Sequence, residues 1–589
     1  MFFRKYLLPT TTYLFGIFLC GSLLYRCSNQ SNQTNDRVIT NDPKMIAQGE
    51  QLFQENCSAC HNFRQRAIGP QLSGITTETE PNWLFHFIRN APEMIEGGNQ
   101  RAVQLYEEYQ TYMPPFSALD SMEIEAIMGY LHTQQQVNAP SNLAETGDFL
   151  EDPIPEKIQY SGISLVIEEV AQAPVTAQDP PLARINKLLT LKAGGRERMF
   201  IHDLQGILYE LKENTFHTFL DIRKEKPNFI NKPGLGTGLG SFAFHPEFEQ
   251  NGIFYTTHTE PPGTAPADFA YDDSIKVTLQ WVLSEWKMDN PKSKTFSGSN
   301  RELLRANMVG SIHGVQEITF NPLAVPGDVD YGMLYMGTGD GGAMLAGYPF
   351  LCQSMERIWG TIIRIDPQGS NSKNGQYGIP EDNPFVDIKS PKVVKEIWAY
   401  GFRNPHRISW DTGSDGKMLI TNIGQTNIES IYLGKAGANY GWGSREGTFM
   451  LQGNIDQAYN LPENDPDLSY TYPVAQYDHD EGKAISGGFV YRGDLVPQLN
   501  GKYIFGDIVT GRLFYVEGNK LAAGHQEPIL ELGLQVNGQE TTWREVTDNN
   551  RVDLRFGIGA EEELYIFTKA DGKVWKVVNV AGKYISAVE

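Results

Sequence analysis

Cys57-Ser58-Ala59-Cys60-His61 sets two thiols three positions apart, with an imidazole directly after the second. Thiols at this spacing add to the two vinyl groups of a haem while the adjoining histidine reaches its iron, so the stretch reads as a haem c attachment signal. A zinc knuckle would need more ligands close by, and a dithiol redox pair has no use for the histidine. Cys57 and Cys60 are therefore the expected covalent attachment points and His61 the first axial ligand. Met113, in "YMPPF", is followed by two prolines that stiffen an extended loop, and it is the expected second axial ligand. A six-coordinate iron with His/Met ligation has no open position for a substrate; it carries electrons.

These ligands need helices to hold them. In "DPKMIAQGEQLFQENC", Asp42 can cap, Pro43 suits the first turn, and Ile46, Leu52 and Phe53 are apolar; the helix delivers the attachment signal at its end. In "ALDSMEIEAIMGYLHTQQQ", Asp120 and Glu123 form a capping box ahead of an apolar stripe of Ile124, Ile127, Met128 and Leu131. Met94, Met122 and Met128 compete as ligands, but each lies in helical spacing and is expected in the core, and His86 is expected to be structural. Amino-terminal helix, attachment signal, "IGPQL" loop, methionine loop and closing helix together resemble a small class I cytochrome c, an all-α domain over residues 43–137.

The chain has 589 residues, long enough for several domains, and its 58 Gly and 33 Pro point to many turns and short strands. A formal net charge of −22 argues against a phosphate-binding surface, so no nucleic acid partner is expected. Only five cysteines occur, and a disulfide framework is not indicated. Residues 1–27 carry Arg4 and Lys5 ahead of a mostly apolar stretch, and a polar Ser/Asn/Gln linker, residues 28–42, follows. This start reads as an export signal or membrane anchor, an anchor being favoured, and it places the body in the periplasm or another extracytoplasmic space, where covalent haem attachment is normally completed.

A polar, Pro-containing linker (residues 138–160) leads to a second domain, residues 161–580. Short β-rich runs such as "GMLYMGTGD", "KMLITNIG" and "ELYIFTKADGKVWKVV" recur there between Gly, Asn and Asp turns. About twenty such strands suit a β-propeller better than a sandwich, because radial repetition absorbs many strands without long exposed edges.

"GLGSFAFHPEFEQNGIFYTTHT", "IHGVQEITFNP" with "LYMGTGDGG", "GTIIRIDP", "EIWAYGFRNPHRISWD" and "GANYGWG" resemble, in this order, the soluble quinoprotein glucose and aldose sugar dehydrogenases. The resemblance implies an all-β six-bladed propeller that binds pyrroloquinoline quinone (PQQ) and calcium on one face. It implies His313 as general base, Arg403 as the catalytic arginine, Asn404 beside it as a cofactor contact and Asp340 at the edge of the site. It also implies calcium held by the main-chain carbonyls of Gly424 and Gln425. An imidazole near neutrality suits removal of a hydroxyl proton as hydride leaves carbon, and a guanidinium suits negative charge developing on a carbonyl. The chain departs from the family in three places. Val509 or Thr510 stands where a cofactor-clamping lysine is expected. Arg551 and Arg555 sit at shifted spacing relative to a pair of quinone-binding arginines, and "GLGTGLG" lacks a polar contact. In "YDHDEGK", His479 between two aspartates can line the mouth for a sugar, a second metal or a proton path, or belong to a solvated acidic turn, and the turn is the expectation.

The implied function is an exported oxidoreductase that oxidises an aldose or related alcohol with PQQ and passes electrons through its own haem c to a respiratory acceptor. The alternative is a quinone-free propeller that binds carbohydrate or a protein partner, attached to an electron-transfer cytochrome.

Overall fold

The computed structural model describes residues 37–584 except 58–60, 62, 64–68, 110–112, 135–148, 179, 194–195, 235, 273, 414–415 and 453. The N-terminal segment expected as signal or anchor, most of the linker after it, and Cys60 lie outside the described residues. Among the described residues no helix is long and apolar enough to cross a membrane.

Asp42 caps helix α1 (Pro43–Asn56), its carboxylate accepting the Lys44 N–H at 2.9 Å, and Pro43 occupies the first turn, where no intrahelical N–H is needed. Three more helices follow, α2 (Ile75–Glu78), α3 (Pro81–Glu96) and α4 (Gln100–Tyr109). The closing helix α5 (Ser121–Thr133) carries the expected capping box: Asp120 accepts the Glu123 N–H and Glu123 accepts the Asp120 N–H, each at 2.9 Å. α1 and α5 cross at Gly49, where a Cβ would fall 1.9 Å from the Ala126 carbonyl oxygen, so only glycine permits this approach. Phe53, Leu84, Ile88, Ile124, Ile127 and Met128 fill the core. Full burial of each such aliphatic side chain stabilises by about 1.5–3 kcal/mol. Met122 is a correction: it lies in the first turn of α5 on the side facing solvent and is 66% exposed, not core.

The β region forms six four-stranded antiparallel blades. Their inner strands, in chain order for blades I to VI, are Ile185–Ala193, Leu239–Phe244, Glu317–Phe320, Pro405–Trp410, Phe489–Val490 and Leu554–Ile558. Blade VI takes three strands from the C-terminal end of the chain and its outermost strand, Gln159–Gln172, from the start of the domain, paired antiparallel with Lys573–Gly582. The first and last inner strands also pair, in parallel, through Leu188 with Gly557 and Leu189 with Ile558. Closure of this kind removes the free edges an open sheet would expose. From Ile39 onward the chain clusters as one compact unit.

Polar side chains of the inner strands meet on the propeller axis. Lys187 Nζ donates to Glu317 Oε1 at 2.5 Å and to the Ile318 carbonyl at 2.7 Å, and Arg407 lies 3.7 Å from the other Glu317 oxygen. Removing one partner of such a buried pair leaves an uncompensated charge, at a cost of about 3–5 kcal/mol. The stretch expected as a linker is in part pinned to the propeller: Leu150 pairs with Ala458, Asp478 accepts the Ile154 N–H at 2.9 Å, and Glu481 accepts the Ile158 N–H at 3.2 Å. The "YDHDEGK" turn is accordingly not solvated as a whole. Asp478, His479 and Glu481 are buried or nearly so, because they satisfy backbone donors and carboxylates packed beneath them, and Asp480 alone of the four is on the rim.

Candidate functional site

In the helical part, His61 and Met113 line one cavity of ≈ 290 Å³ walled by apolar side chains such as Phe53, Leu84, Ile88 and Leu105. Cys57 lines the same cavity and is buried. His61 Nδ1 donates to the Pro70 carbonyl at 2.9 Å, which leaves Nε2 with its lone pair available to a metal. Burial lowers the imidazole pKa, opposed by the Pro70 bond, so the ring is neutral, as a ligand must be. Gly69 makes room for it: a Cβ there would come within 2.3 Å of His61 Cε1. Met94, Met122, Met128 and His86 do not line this cavity. An apolar pocket with a neutral imidazole, a thioether and an attachment thiol fits a covalently held haem.

The second site follows from propeller topology. In every blade the beginning of the inner strand and the end of the second strand lie at the same end, because the two run antiparallel. His313 precedes the inner strand of blade III, and Asp340 follows that blade's second strand, Leu334–Thr338. Arg403 and Asn404 precede the inner strand of blade IV, and Gly424 and Gln425 follow its second strand, Met418–Asn422. His313, Arg403, Asn404, Gly424 and Gln425 all line one cavity of ≈ 170 Å³. Asp340 stands behind His313, almost fully buried.

His313 Nδ1 lies 2.7 Å from Asp340 Oδ1, which also accepts the Gly342 N–H at 2.8 Å, and Trp442 Nε1 donates to Asp340 Oδ2 at 3.3 Å. Burial would raise the Asp340 pKa, but His313, Arg403 and the Gly342 N–H together hold it below the ordinary value. An ionised carboxylate only accepts, so it fixes the proton on Nδ1 and leaves Nε2 as the base. Burial, then the nearby Arg403 charge, push the His313 pKa down against the pull of Asp340, so the ring is unprotonated at neutral pH. His313 also has φ +50°, a left-handed conformation that costs a non-glycine residue energy and is concentrated at functional sites. Arg403 is held by Gln425 Oε1 at 2.8 Å, and its backbone N–H and that of Asn404 both donate to Asn422 Oδ1.

The cavity wall carries six cationic side chains, Arg184, Arg403, Lys483, Arg551, Arg555 and Lys569, against one carboxylate, Asp553. Burial, then Arg555, drive the Lys569 pKa well below its ordinary value, and burial brings Arg555 down to about 9. Both ring nitrogens of His406 and the Gln425 amide nitrogen are buried without a partner beside this cavity. Excess buried positive charge with unmet polar atoms fits a small polyanion, as a tricarboxylated quinone is. Val509 does line the wall where the lysine is missing, but Lys483 and Lys569 stand in the same cavity. Sequence reading missed Lys569, Lys483 and Arg184. The available signal was position: Lys569 follows the second strand of blade VI, Leu564–Thr568, as Asp340 follows that of blade III. Arg512 does not line the cavity, its guanidinium being spent on Glu481 and Glu531.

At the Gly424–Gln425 turn, two carboxylates take the backbone donors. Glu446 Oε1 accepts the N–H groups of Gln425, Thr426, Asn427 and Ile428 at 2.5–3.2 Å, and Glu429 Oε1 accepts that of Gly424 at 3.1 Å. A cation here would rest on carbonyl oxygens, as calcium tolerates. Among the described residues, the group of three acidic side chains close enough for a metal is Asp152, Asp478 and Asp480, and neither Gly424 nor Gln425 belongs to it.

A six-bladed propeller with a histidine–aspartate dyad in a cationic axial cavity thus follows a helical domain with the His/Met pocket of a cytochrome c. Residues 194–548 match the family described as Glucose / Sorbosone dehydrogenase, and the chain belongs to that family; residues 46–135 match Cytochrome c. HIPL1 protein of Arabidopsis thaliana is 30% identical over 49% of this chain and 44% of its own length. Hedgehog-interacting protein of Homo sapiens is 26% identical over 65% of this chain and 50% of its own. Aldose sugar dehydrogenase YliI of Escherichia coli is 25% identical over 38% of this chain and 52% of its own. The chain spans about half the length of the curated relatives it matches.

Proposed function

We propose that this sugar dehydrogenase-like protein oxidises an aldose or related alcohol with PQQ, supported by calcium, outside the cytoplasm, and delivers the electrons through its own haem c to a respiratory acceptor. The N-terminal apolar segment would hold it at a membrane. The observation that carries the reading is the His313–Asp340 dyad aimed into a cavity with six cations and one carboxylate. PQQ, when bound, supplies a two-electron acceptor. Nε2 of His313 takes the substrate hydroxyl proton, and Asp340 stabilises the imidazolium that results. Arg403, with Asn404, holds positive charge and a polar contact where the anionic ligand sits. Lys569 and Arg555 would hold its carboxylates. The buried wall excludes bulk water.

The test is haem absorbance in the full-length protein. Addition of D-glucose or another aldose should reduce the haem only when PQQ and calcium have been supplied. No reduction with any aldose, at saturating PQQ and calcium, would remove the dehydrogenase reading. The other reading, a partner-binding propeller, is favoured by the likeness to a protein named for interacting with Hedgehog. It requires the absence of saturable PQQ binding.

A further inference from the structure

Arg551 lies on the wall of both cavities: it lines the His61/Met113 pocket and the His313/Arg403 pocket. Among the described residues it is the propeller's contribution to the first of these, whose other lining residues all come from the helical domain. Its position is firmly set. The Arg551 N–H donates to Asn549 Oδ1 at 2.9 Å, Val552 and Leu554 are tied by backbone bonds to Val509 and Ile508, and Nε lies 3.2 Å from Asp553 Oδ1. A second contact joins the two domains, between Glu50 on α1 and Lys276 in the loop before a blade II strand, at 3.0 Å. That pair is exposed and contributes about 0–1 kcal/mol, but it registers α1 against the same end of the propeller.

We propose that Arg551 is the positioning residue through which the two redox sites are coupled, so that electrons pass directly from the propeller cavity to the haem without a diffusing carrier. Haem carries two propionate carboxylates, and the ligand that fits the propeller cavity is polyanionic. One guanidinium between them offsets the repulsion of two anions brought close and presents donors to each side. Electron tunnelling falls steeply with distance, so two cavities that share a lining residue favour direct transfer. The balance is simple: oxidation of an aldose at C1 to the lactone releases two electrons and two protons. A haem held by His61 and Met113 would accept one electron at a time, Fe(III) to Fe(II), so two such reductions would serve one sugar, with an external one-electron acceptor reoxidising the iron between them. One proton leaves by His313 and the other reaches solvent.

The propeller side of this inference rests on the dehydrogenase reading; the haem side does not. Arg551→Gln and Arg551→Lys in the full-length haem protein provide the test, with intact haem absorbance and circular dichroism as the check on folding. The first readout is the haem reduction potential without PQQ. Losing a cation beside the haem disfavours the reduced iron, so Arg551→Gln should have a lower potential than wild type and Arg551→Lys should restore it in part. The second readout, with PQQ and calcium at saturation, is the rate of glucose-driven haem reduction divided by that of glucose-driven 2,6-dichlorophenolindophenol reduction. This ratio corrects for any loss of PQQ affinity. It should fall about tenfold or more in Arg551→Gln, equivalent to one charge-assisted contact, and recover in Arg551→Lys. An unchanged potential would overturn the haem contact. A changed potential with an unchanged ratio would overturn the coupling role. If wild type reduces neither dye nor haem, the dehydrogenase reading has failed, and the coupling with it, while the potential still reports the haem contact.

Discussion

The His313 imidazole and the Asp340 carboxylate, 27 positions apart in the chain, meet at 2.7 Å, with the carboxylate held from behind by the Gly342 N–H and Trp442. This bond decides which ring nitrogen faces the cavity, and so whether the histidine can serve as a base.

Asp340→Asn should lower sugar oxidation by about two to four orders of magnitude, comparable to His313→Ala, because an amide no longer fixes the tautomer. The pH profile separates the two roles. The His313 pKa lies below its ordinary 6.5, so the base stays unprotonated as pH falls through that value and activity is lost only below it. Asp340 raises this pKa, so its removal should shift the acidic limb of the residual activity to still lower pH. A limb that stays in place would mean that His313 does not set it.

Lys569→Met should weaken PQQ binding by about ten- to a hundredfold, the worth of one charged contact, and raise the melting temperature of the PQQ-free protein, since a buried amine whose ionisation its surroundings oppose is removed. Burial holds the Lys569 pKa well down, and a bound anion raises it again, so binding should take up protons. Calorimetry in buffers of different ionisation enthalpy would show this in wild type and a smaller uptake in the variant. Equal affinity in both would remove Lys569 from the binding set.

Glu429 is fully buried, and burial, its largest influence, lifts its pKa to about 8 against an ordinary 4.5. Between those values the folded state binds more protons than the unfolded state, so this group makes stability fall as pH rises from 4.5 to 8, by at most about 1.4 kcal/mol per pH unit. Glu429→Gln should gain on wild type in denaturant midpoint steadily across that window. Parallel curves would contradict the assignment.

Met113→Ala should leave haem attached through Cys57 and Cys60 but lower its potential and let the reduced iron bind carbon monoxide. Gly69→Ala should disturb the opposite ligand, since its methyl would enter the His61 ring. An unaltered potential and no carbon monoxide binding in the methionine variant would require another sixth ligand.

What the sequence by itself determined is what depends on contiguous residues. The attachment signal at Cys57–His61, the caps at Asp42 and Asp120, and the short strands between Gly and Asp turns are each encoded within about one element, where backbone geometry alone relates the residues. Even the divergent propeller stretches were legible, because each blade's turn chemistry is local. What only the tertiary structure decided is which distant charges share a volume. Lys569 joins Arg403 and Lys483 because ring closure brings the starts of the inner strands and the ends of the second strands of blades IV to VI to one axis, and no periodicity in the chain records that. The "YDHDEGK" turn looked solvated because its composition is acidic, yet it is buried by the connecting segment at Ile154 and Ile158, more than three hundred positions away. Arg551 is the furthest case: its neighbours in sequence place it at a propeller mouth, but only the packing of one domain on another puts the same side chain on the wall of the haem pocket.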